Sequence, residues 1–244
     1  MNTIKKLVAF GCSWTFGDEL EDPALVHEKE NPRYWDMNTQ YRLDHCYAGL
    51  IAKHYGWEHE NHAFPGHSLV SIRDAVVWYV KNRDLTNTMF VVGHTESWRW
   101  SWHNNAHKTG PGDPEWNKHI HSSWLLYNKT DYTKPWQDTY RSYVDDQLCE
   151  ELQINNKDQT LLLLDSLSAR YNIPVIQYDM LETLPGIISV PSHVYPTENA
   201  RSMIIDTGEK PRSVFASGRH PNEKGHEIIA NRLIEYIDSA IIAE

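Results

Sequence analysis

With 244 residues, 40% of them hydrophobic and 23% charged, the chain is long enough for one full α/β domain, and no linker-like segment divides it. Its formal net charge of −10 argues against nonspecific binding to nucleic acid or to an anionic membrane surface, both of which need basic patches. No apolar run reaches the length of a membrane span, and Cys12, Cys46 and Cys149 are too few and scattered for a disulfide framework. The expectation is a protein that is cytoplasmic at synthesis, with no signal peptide.

In chain order, the apolar run Ile4 to Phe10 reads as a buried strand, followed by a polar, turn-rich stretch from Gly17 to Asp44. A helix is predicted from about Cys46 to Tyr55 with Gly56 as its stop, and Trp57 to Ala63 reads as the second strand. Leu69, Ile72, Val76, Val77 and Val80 recur at helical spacing within Ser68 to Arg83, and Met89 to Val92 is a short third strand. Gln137 to Tyr171 is helical in pattern, with a break expected near Asn155-Asn156, and it leads into a strand from Pro174 to Tyr178. The stretch between Pro196 and Pro211 is read as loop, and Glu227 to Ile241 as an amphipathic helix. Strands alternating with helices predict a central parallel sheet with helical crossovers.

Chemistry concentrates where strands end. Gly11-Cys12-Ser13-Trp14-Thr15-Phe16-Gly17 puts a hydroxyl at the carboxyl edge of the sheet, where open α/β folds place their sites. A serine is a weak nucleophile unless a base takes its proton, and His220 in His220-Pro221-Asn222-Glu223-Lys224-Gly225-His226 is the candidate. Its loop breaks at proline and feeds the last helix, so His226 falls at a helix start and is not a second base. Two more blocks, Asn61-His62-Ala63-Phe64-Pro65-Gly66-His67-Ser68 and Gly93-His94-Thr95-Glu96, follow or end strands and should lie along the same edge.

These four blocks, spread from residue 11 to residue 226, resemble those of the SGNH (GDSL-like) hydrolases, which are esterases and acylhydrolases. The resemblance implies a three-layer α/β/α flavodoxin-like fold with a central parallel sheet, Ser13 as nucleophile, His220 as base, and no cofactor. It also implies an oxyanion hole built from the Ser13 and Gly66 backbone, with Thr95 standing where the family carries a donor asparagine. Two departures from the pattern bear on rate. Losing one oxyanion donor costs roughly 3 kcal/mol of transition-state stabilisation. The position three residues before His220, usually aspartate, is Ser217, and losing the carboxylate that orients the imidazole costs about 10⁴ in rate in measured cases. Ser217, Glu96 or Asp206 could supply the orienting group, as could a backbone carbonyl. A start of the form Gly-Cys-Ser-x-Thr-x-Gly without a secretion signal further resembles proteins encoded by tailed bacteriophages, which implies action on O-acetylated polysaccharide and possible virion association.

One stretch does not fit a minimal fold of this kind. Residues 97–136 hold six of the ten tryptophans, Trp98, Trp100, Trp102, Trp116, Trp124 and Trp136, around the turn Gly110-Pro111-Gly112-Asp113-Pro114. The expectation is an insertion within a single domain spanning 1–244, forming a lid or wall near Ser13. Its tryptophans either make a small core of their own or, with Trp14, offer stacking surfaces for sugar rings. His103 and His107 have the i, i+4 spacing of a metal pair, but the glycines and prolines nearby disfavour the helix that would align them, so no metal is expected. The residues therefore predict a serine esterase that removes acyl groups, O-acetyl in particular, from carbohydrate. The competing expectation is an inactive binding or structural module of the same fold.

Overall fold

The computed structural model describes residues 4–96, 99, 101–103, 119–121, 150–181, 196 and 198–242. Strand β1 (Lys6–Phe10) leads into a one-turn helix α1 (Ser13–Phe16). The turn-rich stretch that follows contains a 3₁₀ helix (Pro23–Glu28), α2 (Tyr34–Met37) and α3 (Thr39–His45). Next come α4 (Tyr47–Tyr55), closed by Gly56, then β2 (Glu58–Asn61), α5 (Leu69–Asn82) and β3 (Thr88–His94). Beyond β3 lie a short antiparallel pair, β4 (Ser101–His103) with β5 (His119–His121), and then α6 (Glu150–Tyr171) and β6 (Val175–Asp179). The chain continues through α7 (Ala200–Ile205), α8 (Pro211–Val214) and α9 (Glu223–Ile237), and the described part ends in a π-helical turn, Asp238–Ile242.

The main sheet has the order β2-β1-β3-β6 with every pairing parallel. Because side chains alternate across a strand, β1 and β3 send successive apolar residues to opposite faces, and both faces are covered. Leu7, Ala9, Met89 and Val91 join a core with Tyr47, Ala48 and Ile51 of α4 and Ile229 and Leu233 of α9. Val8, Phe10, Phe90 and Val92 join a second core with Ile72, Val76 and Tyr79 of α5 and Leu164 of α6. The result is a helix–sheet–helix sandwich: the parallel sheet is the one anticipated from the alternation of elements, and the three layers are those the family resemblance implied. Chain order reverses between β1 and β3, so the crevice at their carboxyl ends is the switch point where ligands of such sheets bind.

Two boundaries differ from expectation. Helix α6 runs unbroken through Asn155 and Asn156. Tertiary packing overrides the weak helix propensity of asparagine there: the adjacent Lys157 is buried and paired with Asp179, Thr160 hydrogen-bonds the Asn156 carbonyl at 2.8 Å, and Leu161 and Leu164 are fully covered. The stretch read as loop between 196 and 211 contains α7, whose start is capped by Asn199 accepting from the Ser202 N–H at 2.8 Å. Ala200, Met203 and Ile204 of that helix reach the α4–α9 core. The tryptophan-rich segment lies almost wholly outside the described residues. Arg99, β4 and β5 fall within it, Trp102 pairing with Ile120, while Trp98 and Trp100 are outside.

Candidate active site

Ser13 opens α1 directly after β1, with Cys12 as the N-cap residue in extended conformation. The Asp18 backbone N–H donates to the Ser13 carbonyl at 3.0 Å, wrapping the turn back on itself. The second block is tied to this turn from two sides. The Asn61 amide donates to the Thr15 carbonyl at 2.8 Å, and the His67 ring meets the Gly11 carbonyl at 3.1 Å. Gly66, between them, is buried and has a φ of 83°, a left-handed conformation that glycine adopts without steric penalty. Ser68 then caps α5 by accepting from the Ser71 N–H.

His220 reaches Ser13 from the far end of the chain. The loop before α9 is closed by a bridge between Phe215 and Pro221, and Asn222 caps the helix by accepting from the Gly225 N–H at 3.1 Å. This sets His220 Nε2 at 3.0 Å from Ser13 Oγ. Its Nδ1 lies 2.8 Å from Oε2 of Glu19. A carboxylate can only accept, so Nδ1 carries a proton and Nε2 is left as the acceptor for the serine hydroxyl. Glu19 is itself fixed by the Gly218 N–H at 2.7 Å, the His220 N–H at 3.2 Å and the Ser217 hydroxyl at 3.3 Å. Burial by itself pushes the Glu19 carboxyl up, but the hydrogen bonds from the His220 ring and from the backbone of Gly218 and His220 outweigh it, and the carboxyl is held below its ordinary value.

The backbone on both sides of this contact is constrained. Glu19 has a φ of 65° and Arg219 a φ of 70°, each costing on the order of 1 kcal/mol for a residue with a Cβ. Gly218 allows the carboxylate to approach, since a Cβ there would stand 2.5 Å from Glu19 Oε2.

The far nitrogen of the imidazole is thus met by a residue not anticipated from the sequence, and the anticipated groups are engaged elsewhere. Ser217 touches Glu19, not the ring. Glu96 accepts from the Thr95 hydroxyl at 2.8 Å and pairs with Arg99 at 2.6 Å. Asp206 is the C-cap residue of α7. Thr95 is buried after β3, with its one hydroxyl proton committed to Glu96 and not directed into the crevice. Arg99 also donates to the His67 carbonyl at 3.3 Å, joining the second and third blocks. Trp14 does not offer a stacking surface: it is 6% exposed and its ring packs against Phe215 in the core. His226 is fully buried and caps α4 by accepting the Tyr47 N–H at 3.2 Å, and burial pushes its pKa down to about 3. Among the described residues, no cluster of three or more histidine, cysteine or acidic side chains could hold a metal ion, and no helix is long and apolar enough to cross a membrane.

Glu19 left one trace in the sequence, an acidic pair, Asp18-Glu19, immediately after the serine turn and therefore at the same sheet edge. Nothing local says which of the two carboxylates would turn toward residue 220.

No protein-family model and no curated relative matches the chain. Similarity to solved structures spans nearly its whole length. A carbohydrate esterase, described as having an active site with divergent catalytic and non-catalytic binding functions, aligns with a TM-score of 0.50 at 11% identity, over 97% of this chain and 65% of its own. A lipolytic protein of the G-D-S-L family from Desulfitobacterium hafniense DCB-2 aligns at 0.48 and 9% identity, over 95% of this chain and 99% of its own. A two-domain esterase active on acetylated mannans aligns at 0.49 and 11%, over 97% of this chain and 49% of its own. The likeness to the carbohydrate esterase is one of fold: a parallel sheet with helices packed on both faces.

Proposed function

We propose that this protein is a serine ester hydrolase in which Ser13, His220 and Glu19 form the reactive relay. The observation that carries the reading is the unbroken chain of contacts from Ser13 Oγ to His220 Nε2 at 3.0 Å and from His220 Nδ1 to Glu19 at 2.8 Å. In the first step Nε2 takes the Ser13 proton while Oγ attacks the ester carbonyl carbon. The resulting imidazolium then gives that proton to the departing alcohol oxygen, leaving acyl-Ser13. In the second step water loses a proton to Nε2, attacks the acyl carbon, and the proton returns to Ser13 as the acid leaves. Glu19 keeps the proton on Nδ1 throughout and stabilises the imidazolium. The backbone N–H groups of Ser13 and Gly66 are the oxyanion donors of this scheme.

The substrate class we favour is a short acyl group, acetyl in particular, on a carbohydrate hydroxyl. The tryptophan content of residues 97–136 supports it, as does the description of a structural neighbour as a carbohydrate esterase. A binding module without hydrolysis is the second reading, and the commitment of the Thr95 hydroxyl to Glu96 favours it. Hydrolysis of p-nitrophenyl acetate separates the two. The hydrolase reading expects turnover that falls by roughly 10³-fold or more in both Ser13→Ala and His220→Ala, because members of such a relay act as a unit. Rates equal in all three proteins would overturn it.

A further inference from the structure

Two carboxylates flank His220, and the relay uses only one. Asp18 Oδ2 lies 3.8 Å from Nε2, the nitrogen that also faces Ser13. That distance is too long for a hydrogen bond, so Asp18 leaves the serine contact intact while holding an acceptor beside it. The two acids are also satisfied very differently. Glu19 accepts from the Gly218 and His220 backbone, the Ser217 hydroxyl and the imidazole. The Asp18 carboxylate is favoured by the charges of His220 and Arg42 and by the neighbouring Glu19 N–H. Burial pushes its carboxyl above the ordinary value, against the attraction of His220 and Arg42. The carboxylate nearest the reacting nitrogen is thus the one less engaged by the protein's own donors.

Resting on the ester-hydrolase reading, we propose that Asp18 is the alcohol-side specificity residue, selecting esters whose departing alcohol carries a neighbouring hydroxyl and rejecting those that carry a neighbouring anion. In the collapse of the tetrahedral intermediate the departing oxygen must come within hydrogen-bond reach of Nε2 to collect its proton. The substituent on the next carbon is then placed beside the oxygen of Asp18. A hydroxyl there donates to the carboxylate, a charge-assisted hydrogen bond, whereas an anion meets a like charge at a few ångströms in a partly desolvated site. Neutral polyols and sugars fit this rule, and uronate or hydroxy-acid esters attached beside their carboxylate do not.

The test uses three acetates of nearly equal size: 2-hydroxyethyl acetate, ethyl acetate and acetoxyacetate, with acid release followed at constant pH. The unaltered protein is expected to prefer them in that order. Asp18→Asn should narrow the ratio of kcat/KM for 2-hydroxyethyl acetate over acetoxyacetate by roughly tenfold or more. A ratio between two substrates is insensitive to the fraction of folded protein, so a loss of stability cannot mimic the effect. A change smaller than fivefold, with the unaltered protein active on ethyl acetate, overturns the role of Asp18 and leaves the hydrolase reading standing. Inactivity of the unaltered protein on all three, together with inactivity on p-nitrophenyl acetate, overturns both.

Discussion

The loop carrying His220 and the loop carrying Thr95 lie at the same sheet edge, and each departs from what the resemblance to SGNH hydrolases implies, with Ser217 in place of an aspartate and Thr95 in place of an asparagine. Their outcomes differ. At His220 a carboxylate arrives from far away in sequence: Glu19 lies 2.8 Å from Nδ1. At Thr95 the threonine's proton is taken by its own neighbour Glu96, which Arg99 holds in turn. The contrast teaches that the two jobs have different physical requirements. Orienting an imidazole needs a fixed acceptor, and any carboxylate brought to the right point will serve. Stabilising an oxyanion needs a donor with an uncommitted proton aimed at where charge develops, and a threonine bonded to a carboxylate does not meet that condition.

Substitution of Glu19 is the strongest way to break the comparison. Glu19→Gln keeps the shape but removes the charge, and it should lower kcat for p-nitrophenyl acetate by roughly 10²–10⁴-fold with little change in KM. A rate within a few-fold of the unaltered protein would mean that the carboxylate is structural only. The Thr95 loop should respond far less. Thr95→Val is expected to change kcat by less than about tenfold, whereas loss of a working oxyanion donor costs about 10²–10³. A drop in the larger range would show that the hydroxyl turns from Glu96 to the substrate during reaction.

The smallest expected effect is on stability. The Glu19 carboxyl is held below its ordinary value of 4.5 by its hydrogen bonds, so the folded state binds its proton more weakly than the unfolded state does. That contribution is fully present above pH 4.5 and is lost as pH falls through the lower folded value. Thermal melts from pH 6 downward should therefore show a steeper loss for the unaltered protein than for Glu19→Gln. Parallel curves would mean that the carboxylate gains nothing from its partners.

The sequence by itself determined much of this protein. The apolar run of β1 ends in a serine turn, the His220 loop precedes an amphipathic helix, and Gly66 stands where a left-handed backbone is required. All of these are local patterns, set by periodicity, capping and steric freedom over a few residues. Other features were decided by tertiary structure. Helix α6 crosses two asparagines because Lys157 and Thr160 are buried against the sheet, and α7 exists because Ala200, Met203 and Ile204 complete a core assembled from distant segments. The choice of Glu19 over Ser217, Glu96 or Asp206 belongs with these. It depends on a left-handed Glu19, on the missing Cβ of Gly218, and on backbone N–H groups some 200 residues away that aim at one carboxylate. Such convergence has no local signature, since the donors and their acceptor become neighbours only when the last helix packs beside the first turn.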